Sequence, residues 1–224
     1  MFNASIVQPK LETLPKPQLL LWNELAVTPN DFILYGGTAL ALRLGHRGSI
    51  DFDFFSSKSF DPELLYKVIP YLKNAKILQK SENTLTCSIE REGNVLVSFF
   101  GGLNIHQINA PSIVEFNNLR IASLEDLAGT KIAVIQKRAE AKDYLDIYGL
   151  LTLGKLSMEM LLACGTAVYG QEFNPYITLK AMCYFEEPEL QSLNSELKQM
   201  FLQTVKNVDL NLVPKLKSFP LGAQ

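Results

Sequence analysis

Gly36-Gly37-Thr38-Ala39-Leu40, then Gly45-His46-Arg47-Gly48-Ser49-Ile50-Asp51-Phe52-Asp53-Phe54-Phe55, is the stretch that decides the fold. The apolar run 32–35 before it has the composition of a short buried strand that leads directly into the glycine pair. Residues 38–44 are rich in Ala and Leu and read as a helix, with Gly45 placed to end it. Residues 51–55 alternate with period two, which puts Asp51, Asp53 and Phe55 on one side of a strand and Phe52 and Phe54 on the other. The two carboxylates therefore share a face.

A glycine pair between strand and helix lets backbone N–H groups approach an anion, and the helix N-terminus adds a favourable dipole. Thr38 offers a further hydroxyl donor. Alone, this is also how an ordinary tight turn looks. Aspartate is disfavoured in strands, however, and a pair of them hemmed by Phe52, Phe54 and Phe55 requires a cation or a basic partner. A hard divalent ion that also bridges phosphates, magnesium (or manganese) rather than zinc, fits two neighbouring carboxylates. His46 and Arg47 precede the acidic strand, where a cation either meets phosphate or pairs with Asp51; Ser49 either caps the turn or touches nucleotide.

Outward from this centre, residues 19–27 and 64–69 read as short helices, and 84–91 with 94–100 as a hairpin around Glu92-Gly93. Residues 119–122 form another strand candidate. From Ser123, an N-cap followed by acidic residues, helical patterns cover 124–137, 142–153, 157–169, 176–185 and 189–205. Strands first and helices afterwards indicate an α+β core over residues 1–122 and a helical region over 123–224 packed on it. Lys131 and Arg138, two turns apart, are expected on one face of the 124–137 helix, while Asp143 and Asp146, three apart, form an acidic pair with Lys142 as its basic neighbour.

With 224 residues, 47% hydrophobic and 20% charged, the chain has the composition of a globular protein. Its apolar stretches fall short of the roughly 18–20 residues of a membrane span and no basic-then-apolar segment opens it, so a cytoplasmic protein is expected, without membrane contact. Three cysteines without C-x-x-C spacing indicate neither a disulfide framework nor a zinc site. A net charge of -2 provides no global attraction for polyanions, so contact with nucleic acid would need a local basic patch.

The glycine turn followed by Asp51-Phe52-Asp53 resembles the AbiEii/AbiGii toxin family of nucleotidyltransferases, within the DNA polymerase beta-like superfamily. A second block agrees: Lys131 to Arg138 followed by Lys142-Asp143-Tyr144-Leu145-Asp146-Ile147-Tyr148 is similar to that family's later signature. The resemblance spans residues 32–153 and implies a nucleotidyltransferase-like mixed sheet with flanking helices. It implies transfer of NMP from a nucleoside triphosphate to an acceptor with Mg2+, tRNA or another RNA as acceptor, and a cognate antitoxin as partner. By the same resemblance Asp51 and Asp53 hold metal, and Asp51, Asp53, Lys131 and Asp146, or Asp143 in its place, are catalytic. Gly36, Gly37, Thr38, Arg47, Ser49 and Arg138 would contact nucleotide. One position departs from the pattern: where the superfamily carries a third carboxylate on a later strand, this chain has Val97-Ser98-Phe99. A nucleotide-binding or partner-binding protein with weak catalysis, and a small-molecule nucleotidyltransferase, are the alternatives that this departure keeps open.

Overall fold

The computed structural model describes residues 5–223. In chain order its strands and helices are β1 (Ile6–Val7), α1 (Lys16–Trp22), β2 (Ile33–Tyr35), α2 (Gly36–Leu44), β3 (Asp51–Phe55), α3 (Pro62–Val68), β4 (Lys76–Ser81), β5 (Thr84–Glu90) and β6 (Asn94–Phe100). They continue as β7 (His106–Gln107), β8 (Ser112–Val114), β9 (Arg120–Ile121), α4 (Leu124–Val134), α5 (Ala141–Thr152), α6 (Met158–Tyr169), α7 (Pro175–Met182), α8 (Ser195–Asn207) and β10 (Phe219–Pro220).

The chain packs into two compact units. Among the described residues the first comprises 5–105, 110–123 and 220–223, and the second 106–109 and 124–219. An eight-stranded mixed sheet runs through the first unit in the order β1-β8-β9-β2-β3-β6-β5-β4. β3 is antiparallel to β2 and parallel to β6, while β5 returns antiparallel to both β6 and β4. Registered residues on paired strands point to the same face. On one face Phe52, Phe54, Val95, Val97, Phe99, Leu85 and Cys87 are wholly buried and form the core, Phe54 stacked on Phe99 at 5.2 Å. The other face carries Asp51, Asp53 and Phe55 on β3, and these are only half-buried. Period-two alternation in the strand is thus the device that turns carboxylates out while the five phenylalanines of β3 and β6 divide between the two faces.

The second unit holds α4 to α8. Each of the last three is opened by a side-chain cap or a proline: Ser157 accepts from the Met160 amide, Asn174 from Tyr176 and Asn194 from Leu197. Buried Asp126 near the start of α4 accepts hydrogen bonds from the Ile108 and Asn109 amides, at 2.5 and 3.3 Å, and so ties the short segment 106–109 into this unit.

Several boundaries differ from the sequence expectation. The helix expected over 19–27 is α1 followed by a 3-10 turn (Asn23–Val27), and the helix expected to begin at Thr38 begins at Gly36. β1, β4, β7, β8 and β10 were not expected. β4 is exposed at every residue, so no alternation of apolar side chains marks it. The helix expected over 124–137 stops at Val134, because the amides of Gln136 and Lys137 reach back three residues, to Ala133 and Val134, instead of four.

Candidate active site

β2 delivers the chain into the glycine turn. Gly36 sits at φ +74°, a conformation that costs any other residue, and a Cβ there would lie 2.5 Å from Asp53 Oδ2. A Cβ on Gly37 would lie 2.6 Å from a terminal nitrogen of Arg47 and 3.2 Å from Ser49 Oγ. Gly36 is therefore required by its backbone conformation and by the Asp53 carboxylate that lies against it, whereas at Gly37 the neighbour is the far end of the flexible Arg47 side chain, which can shift. Gly45 at φ +70° closes α2 in the left-handed conformation, as its position in the sequence indicates.

Thr38 is buried, its hydroxyl donates to the Asp51 carbonyl, and it lies 2.9 Å from Ser49 Oγ. These bonds tie the first turn of α2 to the start of β3. Gln18, also buried, donates to the Ile50 carbonyl at 2.8 Å and holds the loop from the other side. Thr38 and Ser49 thus spend their hydroxyls on positioning the acidic strand. Arg47 donates to the Gly48 carbonyl at 2.8 Å and keeps its guanidinium over the turn.

Asp51 Oδ1 is buried and accepts no hydrogen bond from any described residue. A buried carboxylate oxygen without a donor is costly, and a bound cation is the ordinary remedy. Asp51 and Asp53, two apart on one face, fit the one or two carboxylates by which magnesium is commonly held while phosphates complete its shell. Among the described residues no group of three or more His, Cys, Asp or Glu side chains is arranged to hold a metal ion. The register explains why. β6 runs parallel to β3 with Ser98 directly beside Asp53, so the neighbouring strand places a hydroxyl where a third carboxylate would complete the set.

In the second unit, Lys131 is buried with its Nζ 2.6 Å from Asp146 Oδ2 and 3.2 Å from Asp143 Oδ1; both aspartates are fully buried. Arg138 grips Asp143 with two bonds, Nε to Oδ2 at 2.8 Å and Nη2 to Oδ1 at 3.1 Å. The expectation that Lys131 and Arg138 share a helix face is corrected here: Arg138 lies beyond the end of α4, and Asp143 on α5 is what brings the two cations together. Lys142 is also not the neighbour of this acidic pair, since it turns outward to Glu140 at 2.9 Å. Arg138 also reaches Glu140 at 3.2 Å, so three cations and three carboxylates make a balanced network whose buried part is Lys131 with Asp143 and Asp146. A charge spacing of three and four along α5 was visible in the sequence; that the partners would come from α4 and the following turn was not, because burial of Lys131 has no local signature.

An Asp-x-Asp strand beside a glycine turn, on a mixed sheet flanked by helices, defines a protein of the nucleotidyltransferase class. The chain belongs to the AbiEii family, whose model, described as the nucleotidyl transferase AbiEii toxin of type IV toxin-antitoxin systems, matches residues 20–216. An uncharacterized protein of Aquifex aeolicus (strain VF5) is 29% identical over 185 residues, covering 79% of this chain and 87% of that one. Among solved structures, MenT4, a nucleotidyltransferase toxin from Mycobacterium tuberculosis H37Rv, is similar with a TM-score of 0.57 at 13% identity, over 87% of this chain and 83% of that one. A protein of H. pylori assigned provisionally to the nucleotidyltransferases gives a TM-score of 0.53 at 18% identity, over 85% and 89%. At these identities the two structures speak for the fold; the family match carries the class of activity. No described helix is long and apolar enough to cross a membrane.

Proposed function

We propose that the protein transfers NMP from a nucleoside triphosphate to an acceptor hydroxyl, with an RNA end such as that of tRNA as the acceptor and a cognate antitoxin as its regulator. The observation that carries this reading is the Asp51 oxygen that is buried without a donor, on the same strand face as Asp53 and beside the Gly36-Gly37 turn. In the reaction the acceptor oxygen bonds to the α-phosphorus, the bond to pyrophosphate breaks, and the acceptor proton is lost to water. Such a step is accelerated mainly by positioning and charge neutralisation.

Asp51 and Asp53 would hold Mg2+ (or Mn2+), which when bound neutralises phosphate charge. The amides of the glycine turn and the α2 N-terminus receive the triphosphate, and Arg47, held over Gly37, adds a cation. Thr38 and Ser49 keep the turn and the strand in register. Within the second unit, the family motif makes Lys131 and Arg138 the candidate phosphate contacts, and Asp146 and Asp143 are the carboxylates that hold these two side chains in place. Asp53→Asn removes one charge with almost no change of shape, so Mg2+-dependent triphosphate affinity should fall at least about 100-fold while the melting temperature stays close to wild type. Unchanged Mg2+-dependent affinity by calorimetry sinks the assignment.

A second reading is favoured by Ser98, which stands in register with Asp53 where a third carboxylate would act as base. On that reading the protein binds nucleotide with Mg2+ but turns over weakly.

A further inference from the structure

The face of the sheet that bears the carboxylates does not end at β3. Register carries it outward in three rows: Asp51, Leu96, Ser88 and Lys76; Asp53, Ser98, Thr86 and Gln79; Phe55, Phe100, Thr84 and Ser81. Paired residues share a face, so each row is a line of neighbouring side chains crossing β3, β6, β5 and β4. Behind them the opposite face is closed core, whereas Leu96, Phe100, Thr84, Thr86 and Ser88 are half-buried and the β4 residues exposed. Beyond β3 these rows contain no carboxylate. They contain five hydroxyls, one amide and, at the far edge, one cation.

The two sides of the acidic pair are unlike. Toward β2 lies the glycine turn with Arg47, suited to a leaving polyphosphate. Toward β6 lies the uncharged hydroxyl floor. In-line displacement requires the attacking oxygen to approach opposite the leaving group, so the second substrate belongs on the β6 side. Within these three rows no carboxylate lies beyond β3, Glu90 standing one row further along the same face of β5, so the floor next to Asp53 offers little to a cationic small molecule. It suits a ribose terminus, whose hydroxyls exchange hydrogen bonds with Ser, Thr and Gln, and the half-buried rings of Phe55 and Phe100, 5.7 Å apart, border it with apolar surface. Lys76 stands three strand spacings from Asp51, roughly 14 Å away, where the phosphates behind a terminal nucleoside would run.

We infer that this face of β6, β5 and β4 is the acceptor track, with Thr86 and Gln79 positioning the terminal ribose and Lys76 meeting a phosphate behind it. Thr86 already lies 3.3 Å from Ser98 Oγ and so orders the hydroxyl line next to Asp53. The inference rests on the transferase reading above and goes beyond it by naming where the acceptor lies.

The test uses the full chain, fluorescein-labelled total tRNA, Mg2+ and a non-hydrolysable nucleoside triphosphate, with triphosphate binding measured separately for every variant. Thr86→Val should weaken tRNA binding about fivefold, and Lys76→Ala about fivefold with a shallower salt dependence, each with triphosphate affinity unchanged. Lys80→Ala is the control. Lys80 is on the same strand but registered with core-facing Leu85, and it pairs with Glu63 at 2.8 Å; tRNA affinity should stay within about twofold. Equal losses from Lys76→Ala and Lys80→Ala would mean unspecific attraction and overturn the track. So would an unchanged tRNA affinity in Thr86→Val, or no tRNA binding by a wild type that binds triphosphate. Loss of Mg2+-dependent triphosphate binding in the wild type itself would instead strike the transferase reading on which the track depends.

Discussion

At the scale of single residues, Gly36 and Gly45 make a matched pair: both adopt left-handed backbone, at φ +74° and +70°, but only one touches the site. A Cβ on Gly36 meets the Asp53 carboxylate, whereas one on Gly45 meets the flexible side chain of Lys10. Each Gly→Ala change should cost about 1–2 kcal/mol of stability for the backbone conformation. Only Gly36→Ala should also lose triphosphate affinity, because Asp53 must move. Denaturant unfolding and nucleotide titration of the two variants separate these effects; equal nucleotide losses would mean that the Gly36 contact with Asp53 is incidental. The glycine turn and Asp51-x-Asp53 were legible in the sequence because both use rules local to a few residues: a turn needing positive φ and a strand with period two. The roles of Thr38 and Ser49 were not. A hydroxyl that bonds a carbonyl thirteen residues on looks, in sequence, like one that faces a ligand.

Among the elements, α4 and α5 hold the least forgiving interaction. Lys131→Met leaves the buried Asp143 and Asp146 with one cation fewer, which should cost about 3–5 kcal/mol. Arg138 is 42% exposed and its loss leaves Asp143 still paired with Lys131, so Arg138→Met should cost under about 1 kcal/mol. Chemical denaturation checks the order; a Lys131→Met variant as stable as wild type would contradict the observed network. Lost activity in Lys131 variants is therefore informative only alongside stability. Element types in the rear half were readable from apolar periodicity, but the start of α8 was not: the helix was expected from residue 189 and begins at Ser195, capped by Asn194. Strand β4 was not readable, since an edge strand with both faces in solvent needs no alternation, and its two lysines and the irregular register between Ile77 and Gln79 are how such edges resist unwanted pairing.

For the whole molecule, the α+β class followed from the order of strands and helices, and the mixed sheet from the resemblance to the nucleotidyltransferase family. The way short segments change unit, with 106–109 joining the helices and 220–223 the sheet, depends on long-range bonds such as those of Asp126 that no local pattern announces. The cysteines report on the integrity of both units together. Burial pushes the Cys87 thiol up to about 11 and Cys164 up to about 12, while Cys183 is exposed. Thiolate is the reactive form, so at pH 8 the folded chain should show one fast-reacting thiol and, after unfolding, all three. Two or more fast thiols before unfolding would mean that one core is open.

The central claim is that Asp51 and Asp53 serve metal-dependent nucleotide transfer. Its most direct test is incubation with each of four α-labelled nucleoside triphosphates, Mg2+ and total tRNA, comparing wild type with Asp53→Asn. Label entering RNA with wild type and not with the variant is the expected result, and it also names the nucleotide. Equal labelling by both proteins would contradict the claim, and binding without transfer by the wild type would leave Ser98, in the place of a third carboxylate, as the decisive residue.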